Sequence, residues 1–297
     1  MRLSNTPARL AALLLAAGLL SGCSLFGGGA EDSRDASDAS VFPEEGGPPR
    51  PGLEENTEYA DLGERELYEE ARDSLDRGNF TAAISRLEAL DTRYPFGAHA
   101  EQAQLELIYA YYEIDDWEAT RAAANRFIRL HPSHPQADYA LYMRGLAAWQ
   151  AGRFSLERLK LIDISKRDLG ASRDAYTDFR ELVRLYPNSQ YAPDARQRIV
   201  YLRNVLAEHE LQVADYYLRR GAYLAAVERG RWVIENYPQS QATRDALATM
   251  VEGYLGLEMH DRAREVLRVL IDNAPDHERL RGRTFEPQYV EGKTISA

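Results

Sequence analysis

The chain has 297 residues, 44% of them hydrophobic, and a formal net charge of −11. That length admits two compact domains of roughly 150 residues each, and that charge excludes bulk binding of nucleic acid. A single cysteine, Cys23, excludes an intramolecular disulfide and a cysteine-based metal cluster.

The first segment reads as an export signal. Arg2 and Arg9 supply positive charge ahead of the apolar stretch Leu10–Leu20, which is short of the roughly 20 residues needed to span a bilayer as a helix. It ends in Leu20-Ser21-Gly22-Cys23, small residues before a thiol, which predicts cleavage after Gly22 and lipid on Cys23. The competing reading is a plain secretory signal with an incidental cysteine. Ser24, where inner-membrane retention favours aspartate, directs the expectation to the outer membrane, with the chain anchored through its lipid on the periplasmic side. Residues 23–62 are rich in Gly, Ser, Asp, Glu and Pro, with few large apolar side chains. Burial cannot offset the ordering entropy of such a segment, so it is expected to be an acidic flexible tether whose like charges extend it. A specific acidic docking peptide is the alternative.

From Gly63 onward the pattern is helical and repeated. Segments end at Pro95, Pro132, Pro187, Pro238 and Pro275, with intervals of 37, 55, 51 and 37 residues. A period near 34 is that of the tetratricopeptide repeat, so the middle intervals imply insertions of about 18 and 14 residues. Small and aromatic residues recur where a helix pair needs them: Ala71, Gly78, Phe80 and Ala83 in the first repeat, Ala110 and Trp117 in the second, Ala214, Gly221, Tyr223 and Ala226 in the fourth, Tyr254 and Ala263 in the fifth. Thr120 stands where a small alanine is expected. A small residue lets two helices cross closely, a Gly or Asp turn reverses the chain, and proline stops the second helix.

The third repeat has Gly145 and Ala175 at its crossing, with Ala151–Gly170 as an excursion between helices. The fourth places its extra residues before its first helix. Ser189 is the expected N-cap, Pro193 lies in the first turn, and Ile199, Leu202 and Leu206 predict one long or kinked helix to about Arg220. The prediction is an all-α, right-handed superhelical array of five tetratricopeptide pairs over 63–275, preceded by the signal (1–22) and tether and followed by a C-terminal tail, 276–297.

Chemistry-bearing motifs are missing: there is no phosphate loop, nucleophile elbow or HExxH. No cofactor is expected. His131 and His134 in HPSHP have a tempting spacing for a metal, but two prolines and the lack of a third ligand favour a structural turn, so no metal is expected either. The 18 tyrosines fall mostly at repeat core positions and read as packing first. Arg93, Arg126 and Arg129, at the ends of second helices, suit bidentate pairing with carboxylates. The plain alternative is a solvated face balanced by Glu101 and Glu106.

Particular strings carry a resemblance. LEALDTRYPFG (87–97), QLELIYAYY (104–112), RFIRLHPSHP (126–135), DYALYMRGL (138–146), LVRLYPNSQYAPDA (182–195) and YPQSQATRDAL (237–247) resemble the BamD family, the repeat lipoproteins of the outer-membrane β-barrel assembly machine. Asp163, Ser165, Arg167 and Asp168 stand where the family has a similar DxSxRD run. The resemblance covers roughly Leu67 to Asn273; the tether and tail carry no clear family motif. It implies a scaffold, not an enzyme. The implied partners are the POTRA domains of the barrel protein BamA, other lipoproteins of the same machine, and unfolded outer-membrane proteins read by their C-terminal β-signal. Arg229 matches the family residue implicated in the BamA contact, and Tyr94 a tyrosine near incoming substrate. Physical reasoning adds Phe96 beside Tyr94 as aromatic surface, and Arg126 and Arg129 as cations for a substrate's terminal carboxylate. A generic repeat lipoprotein serving cell-wall enzymes or envelope constriction is the rival reading.

Overall fold

The computed structural model describes Tyr59, residues 61–157 and residues 169–297. The signal segment, Cys23, nearly all of the tether, and Asp163, Ser165, Arg167 and Asp168 lie outside the described residues.

Among the described residues, ten helices pack as consecutive antiparallel pairs: α1 (Glu64–Asp76) with α2 (Phe80–Arg93), α3 (Ala100–Glu113) with α4 (Trp117–Leu130), α5 (Ala137–Glu157) with α6 (Gly170–Leu185), α7 (Ala192–Arg219) with α8 (Tyr223–Asn236), and α9 (Thr243–Gly256) with α10 (His260–Asn273). The turn inside a pair is built one way in four of the five. Gly78, Asp115, Gly221 and Glu258, each two residues before the second helix, have φ of +72°, +61°, +71° and +62°. Glycine takes that left-handed conformation freely, whereas Asp115 and Glu258 hold it at a cost of about 1 kcal/mol. Asn79 and Asp116 then cap α2 and α4 by accepting the N–H of Ala82 and Ala119.

Second helices also end alike. Tyr94, His131, Tyr186, Tyr237 and Ala274 are C-caps, each donating its N–H to the carbonyl four residues back, at 2.7–2.8 Å. The proline that follows has no N–H with which to continue the ladder. The small residues work as the sequence implied. Ala71, Ala83, Ala110, Ala175, Ala214, Ala226 and Ala263 are fully buried. A Cβ on Gly145 would lie 2.8 Å from the Phe179 ring, so any larger residue there would push that buried ring aside where α5 and α6 cross. Thr120 is buried as well, its hydroxyl donating to the Asp116 carbonyl at 2.7 Å.

Three details differ from the sequence reading. The third repeat's excursion does not leave the first helix at Ala151; α5 continues to Glu157. Ser189 does not cap α7: Tyr191 is the N-cap, while the Ser189 hydroxyl accepts the Tyr191 N–H at 3.2 Å and donates to Asp138 at 2.6 Å. The hydroxyl is spent on the turn before the helix begins. From that cap α7 runs unbroken for 28 residues.

The third detail concerns residues 276–297, read as a tail. They fold onto the last pair. Strands β1 (Leu280–Arg281), β2 (Thr284–Phe285) and β3 (Ile295–Ser296) form a small antiparallel sheet in that order. Leu280, Phe285, Val290 and Ile295 are buried against Val251, Leu255, Leu267 and Leu270 of α9 and α10. Glu252, with no exposed surface, takes Arg279 at 2.5 Å together with the backbone N–H groups of Tyr289 and Val290. Among the described residues no helix is long and apolar enough to cross a membrane.

Candidate functional site

Arg229 lies on α8 with its side chain 43% exposed, and its Nη1 is 2.7 Å from Oε2 of Glu210 on α7. Glu210 occupies a position in the apolar row Leu202–Leu206 where a further leucine would be in register, and it is buried. A carboxylate in such a place demands a cation. It has two, because Arg173 of α6 reaches the other oxygen at 3.6 Å. The hydrogen bond to Glu210 holds the Arg229 pKa above its ordinary value. The in-chain mate of Arg229 is therefore Glu210. Glu210 holds one guanidinium edge inward, the Tyr217 side chain is a second hydrogen-bond partner, and the side chain stays partly exposed.

The four residues expected to hold substrate divide into different environments. Tyr94 is half-buried at the end of α2, where its hydroxyl donates to the Leu62 carbonyl at 3.2 Å and the Arg93 guanidinium lies 5.4 Å from its ring. Arg93 also bonds the Tyr59 carbonyl. Tyr94 thus ties the entry of the chain to the first pair. Phe96, two residues on, is 99% exposed. Arg126 reaches from α4 to buried Asp91 in the last turn of α2, within one helical turn of Tyr94. Asp91 also accepts from Gln104 at 2.8 Å. Arg129 is exposed and forms no ion pair among the described residues.

The acids assigned to balance these arginines do other work. Glu101 lies 3.2 Å from His131 and 3.5 Å from His134. Those histidines flank Phe127 and secure the turn after α4, His134 accepting the Gln136 N–H. Glu106 is buried and accepts from Tyr68, Arg72 and Gln102 at 3.0, 2.7 and 3.0 Å, with its Oε2 left unpartnered. Sequence reasoning missed this group, although Glu106 between Leu105 and Leu107 on an apolar helix was a visible signal. It opens onto a groove of about 370 Å³ along the first helices, with Tyr109, Tyr139 and Tyr191 on its walls. Burial pushes the Tyr139 hydroxyl well above the usual tyrosine range, so it stays a donor at physiological pH.

A family model described as an outer membrane lipoprotein, YfiO, matches residues 60–269. The outer membrane protein assembly factor BamD of Vibrio cholerae is 45% identical over 201 residues, 68% of this chain and 83% of that protein. The protein of the same name from Neisseria gonorrhoeae is 42% identical over 215 residues, 72% of this chain and 80% of that one. Among solved structures, a tetratricopeptide repeat protein from Parabacteroides merdae aligns with 72% of this chain and 67% of its own, at 15% identity and a TM-score of 0.36.

Proposed function

The chain belongs to the YfiO family of outer membrane lipoproteins, that of the assembly factor BamD, and from that premise we propose how this scaffold divides its binding work. It is a non-enzymatic assembly factor for outer-membrane proteins, located at the outer membrane. We infer that Cys23 carries the lipid, that residues 23–62 form the tether, and that the helix pairs present separate surfaces to separate partners. Arg229 meets a carboxylate on a POTRA domain of the barrel protein BamA. The end of the first pair, with Tyr94, Phe96, Arg126 and Arg129, receives the C-terminal β-signal of an unfolded barrel. Other lipoproteins of the machine are the remaining partners.

The observation that carries the first assignment is the geometry of Arg229: held by buried Glu210 while its side chain keeps 43% exposure. An arginine whose side chain is already ordered loses little entropy on binding a planar anion. Charge reversal at this site is a poor test, since a glutamate would sit against Glu210. Arg229→Gln keeps the size and removes the surplus charge. Co-purification of the barrel protein from solubilised outer membranes should fall sharply with Arg229→Gln while thermal melting stays near wild type. Undiminished recovery would mean that Arg229 serves α7 and nothing outside the chain.

For the substrate site, full exposure singles out Phe96. A photo-crosslinker at position 96 should capture a synthetic β-signal peptide, and deleting the peptide's terminal aromatic should reduce capture. Equal capture of a scrambled peptide would reject the site.

A further inference from the structure

Residues 276–297 form a cap that does more than cover the last pair. Leu211, Asp215 and Arg219 recur every four residues along α7, and Asp245, Thr249 and Glu252 at four and three along α9, so each set shares one helix face. All of them except Glu252 line a cleft of about 570 Å³ between the fourth and fifth pairs, and Arg279 of the cap lines it too.

Tyr289 ties the two walls together. Its backbone N–H is held by Glu252 of α9, and its hydroxyl donates to Oδ1 of Asp215 on α7 at 2.6 Å. The two moorings differ in what breaking them leaves behind. On the α9 side, Glu252 has no exposed surface and also holds Arg279 at 2.5 Å and the Val290 N–H at 3.2 Å, with Leu280, Phe285, Val290 and Ile295 buried in the same cluster as α9. Release there strands a buried carboxylate and uncovers apolar surface. On the α7 side only a hydroxyl is released. Asp215 is half-buried, and its Oδ2 already lies 3.1 Å from Arg219, so the carboxylate keeps a cation when Tyr289 leaves. Asp215 also lines the cleft, where water can take the place of the hydroxyl.

We propose that Tyr289 is a latch: the cap stays moored on α9 while the Tyr289 hydroxyl engages and releases Asp215, so that the fourth and fifth pairs switch between a clamped and a parted arrangement. α8 stays packed on α9 in both, where a Cβ on Gly253 would lie 2.5 Å from the Val227 side chain, and this close contact is the axis of the motion. Parting widens the cleft along the face of Leu211, Asp215 and Arg219 and unfolds no helix. A state that costs one solvent-replaceable contact is reached far more readily than one that uncovers a core. The latch does not depend on the role given to Arg229.

The test uses the full chain in detergent, with spin labels carried on non-natural residues at positions 200 on α7 and 283 in the cap, both exposed. Pulsed EPR reads the distance between them. Tyr289→Phe removes the hydroxyl alone. It should raise the longer-distance population about tenfold, the size expected for losing a hydrogen bond to a charged acceptor, while the amides of 276–297 keep their hydrogen-exchange protection. Asp215→Ala should part the pairs to the same extent. Arg219→Ala, which leaves the Tyr289 bond in place, should not. Distances unchanged in both Tyr289→Phe and Asp215→Ala would overturn the latch. Loss of protection throughout 276–297 in Tyr289→Phe would overturn it as well, since the cap would then undock as a whole. Parting by Arg219→Ala as large as that by Tyr289→Phe would assign the effect to the ion pair on α7 and likewise reject the proposal.

Discussion

The α2–α4 end and the α6–α8 face use one device with different charge arithmetic. At the first, buried Asp91 lies under Arg126 alone. At the second, buried Glu210 lies under Arg173 and Arg229 together. Glu106 with Arg72 and Glu252 with Arg279 follow the first pattern. A one-to-one pair neutralises itself and leaves a rigid but electrically quiet surface. Two arginines on one acid leave a surplus charge, held in place by the acid they share. Exposure alone does not distinguish the sites, since Arg126 and Arg229 are 48% and 43% exposed. The count of cations over each buried carboxylate does.

The largest expected effect tests that count directly. Glu210→Gln leaves two arginines repelling over a neutral amide and should destabilise the array by about 2 kcal/mol, whereas Asp91→Asn strands one half-exposed arginine and should cost about 1 kcal/mol. Urea unfolding of the two variants measures both, and equal costs would break the comparison. Next comes the functional difference. Arg229→Gln should weaken binding of the barrel partner about tenfold, roughly 1.4 kcal/mol, and Arg126→Gln should leave it unchanged. Titration with POTRA domains separates them.

Within the first site, Tyr94 and Phe96 should part company. Tyr94→Phe removes one hydrogen bond to the Leu62 carbonyl and should cost about 0.5–1.5 kcal/mol. Phe96→Ala should stay within about 0.5 kcal/mol while losing β-signal capture. A stability loss at Phe96 matching that at Tyr94 would show both to be structural.

The smallest effect concerns pH. A hydrogen bond from His277 at 3.0 Å holds Asp245 below the usual carboxylate range, against the opposing pull of burial. With the folded value lowered, this stabilisation is complete above the unfolded carboxyl pKa, about 3.9, and is lost as pH falls through the folded value. Amides in 276–297 should therefore lose hydrogen-exchange protection below about pH 4 more steeply in the wild type than in Asp245→Asn. Parallel curves would discount the pair.

Much of the fold was legible because repetition multiplies weak local signals. The five prolines, the glycine or aspartate turns and the buried alanines each marked a position that steric limits enforce in several pairs. Glu258 was not legible as a turn residue, because nothing local announces a glutamate in left-handed backbone. The cap formed by 276–297 was invisible for a related reason. Its strands are two residues long, too short for any alternating pattern, and its stability comes from α9 and Glu252. At the candidate site, Arg229 was found through resemblance, whereas Glu210 and Arg173 lie 19 and 56 positions away in sequence and meet it only through helix packing. Glu106 was visible but misjudged, since an acid between leucines reads equally as a solvated face until the neighbouring helix is placed.

The folded cap has a consequence for how such an array can change length. α9 buries ten of its 14 residues, against eight of 14 in the interior helix α3, so the final pair is covered as fully as one with neighbours on both sides. The apolar faces of α9 and α10 that a sixth pair would need are already occupied by Leu280, Phe285, Val290 and Ile295. A duplicated pair spliced in after Asn273 would have to displace that sheet and leave Arg279 without Glu252. Growth or shrinkage of the repeat number is thus steered away from this end and into the interior, where each pair meets its successor through the same proline-terminated turn.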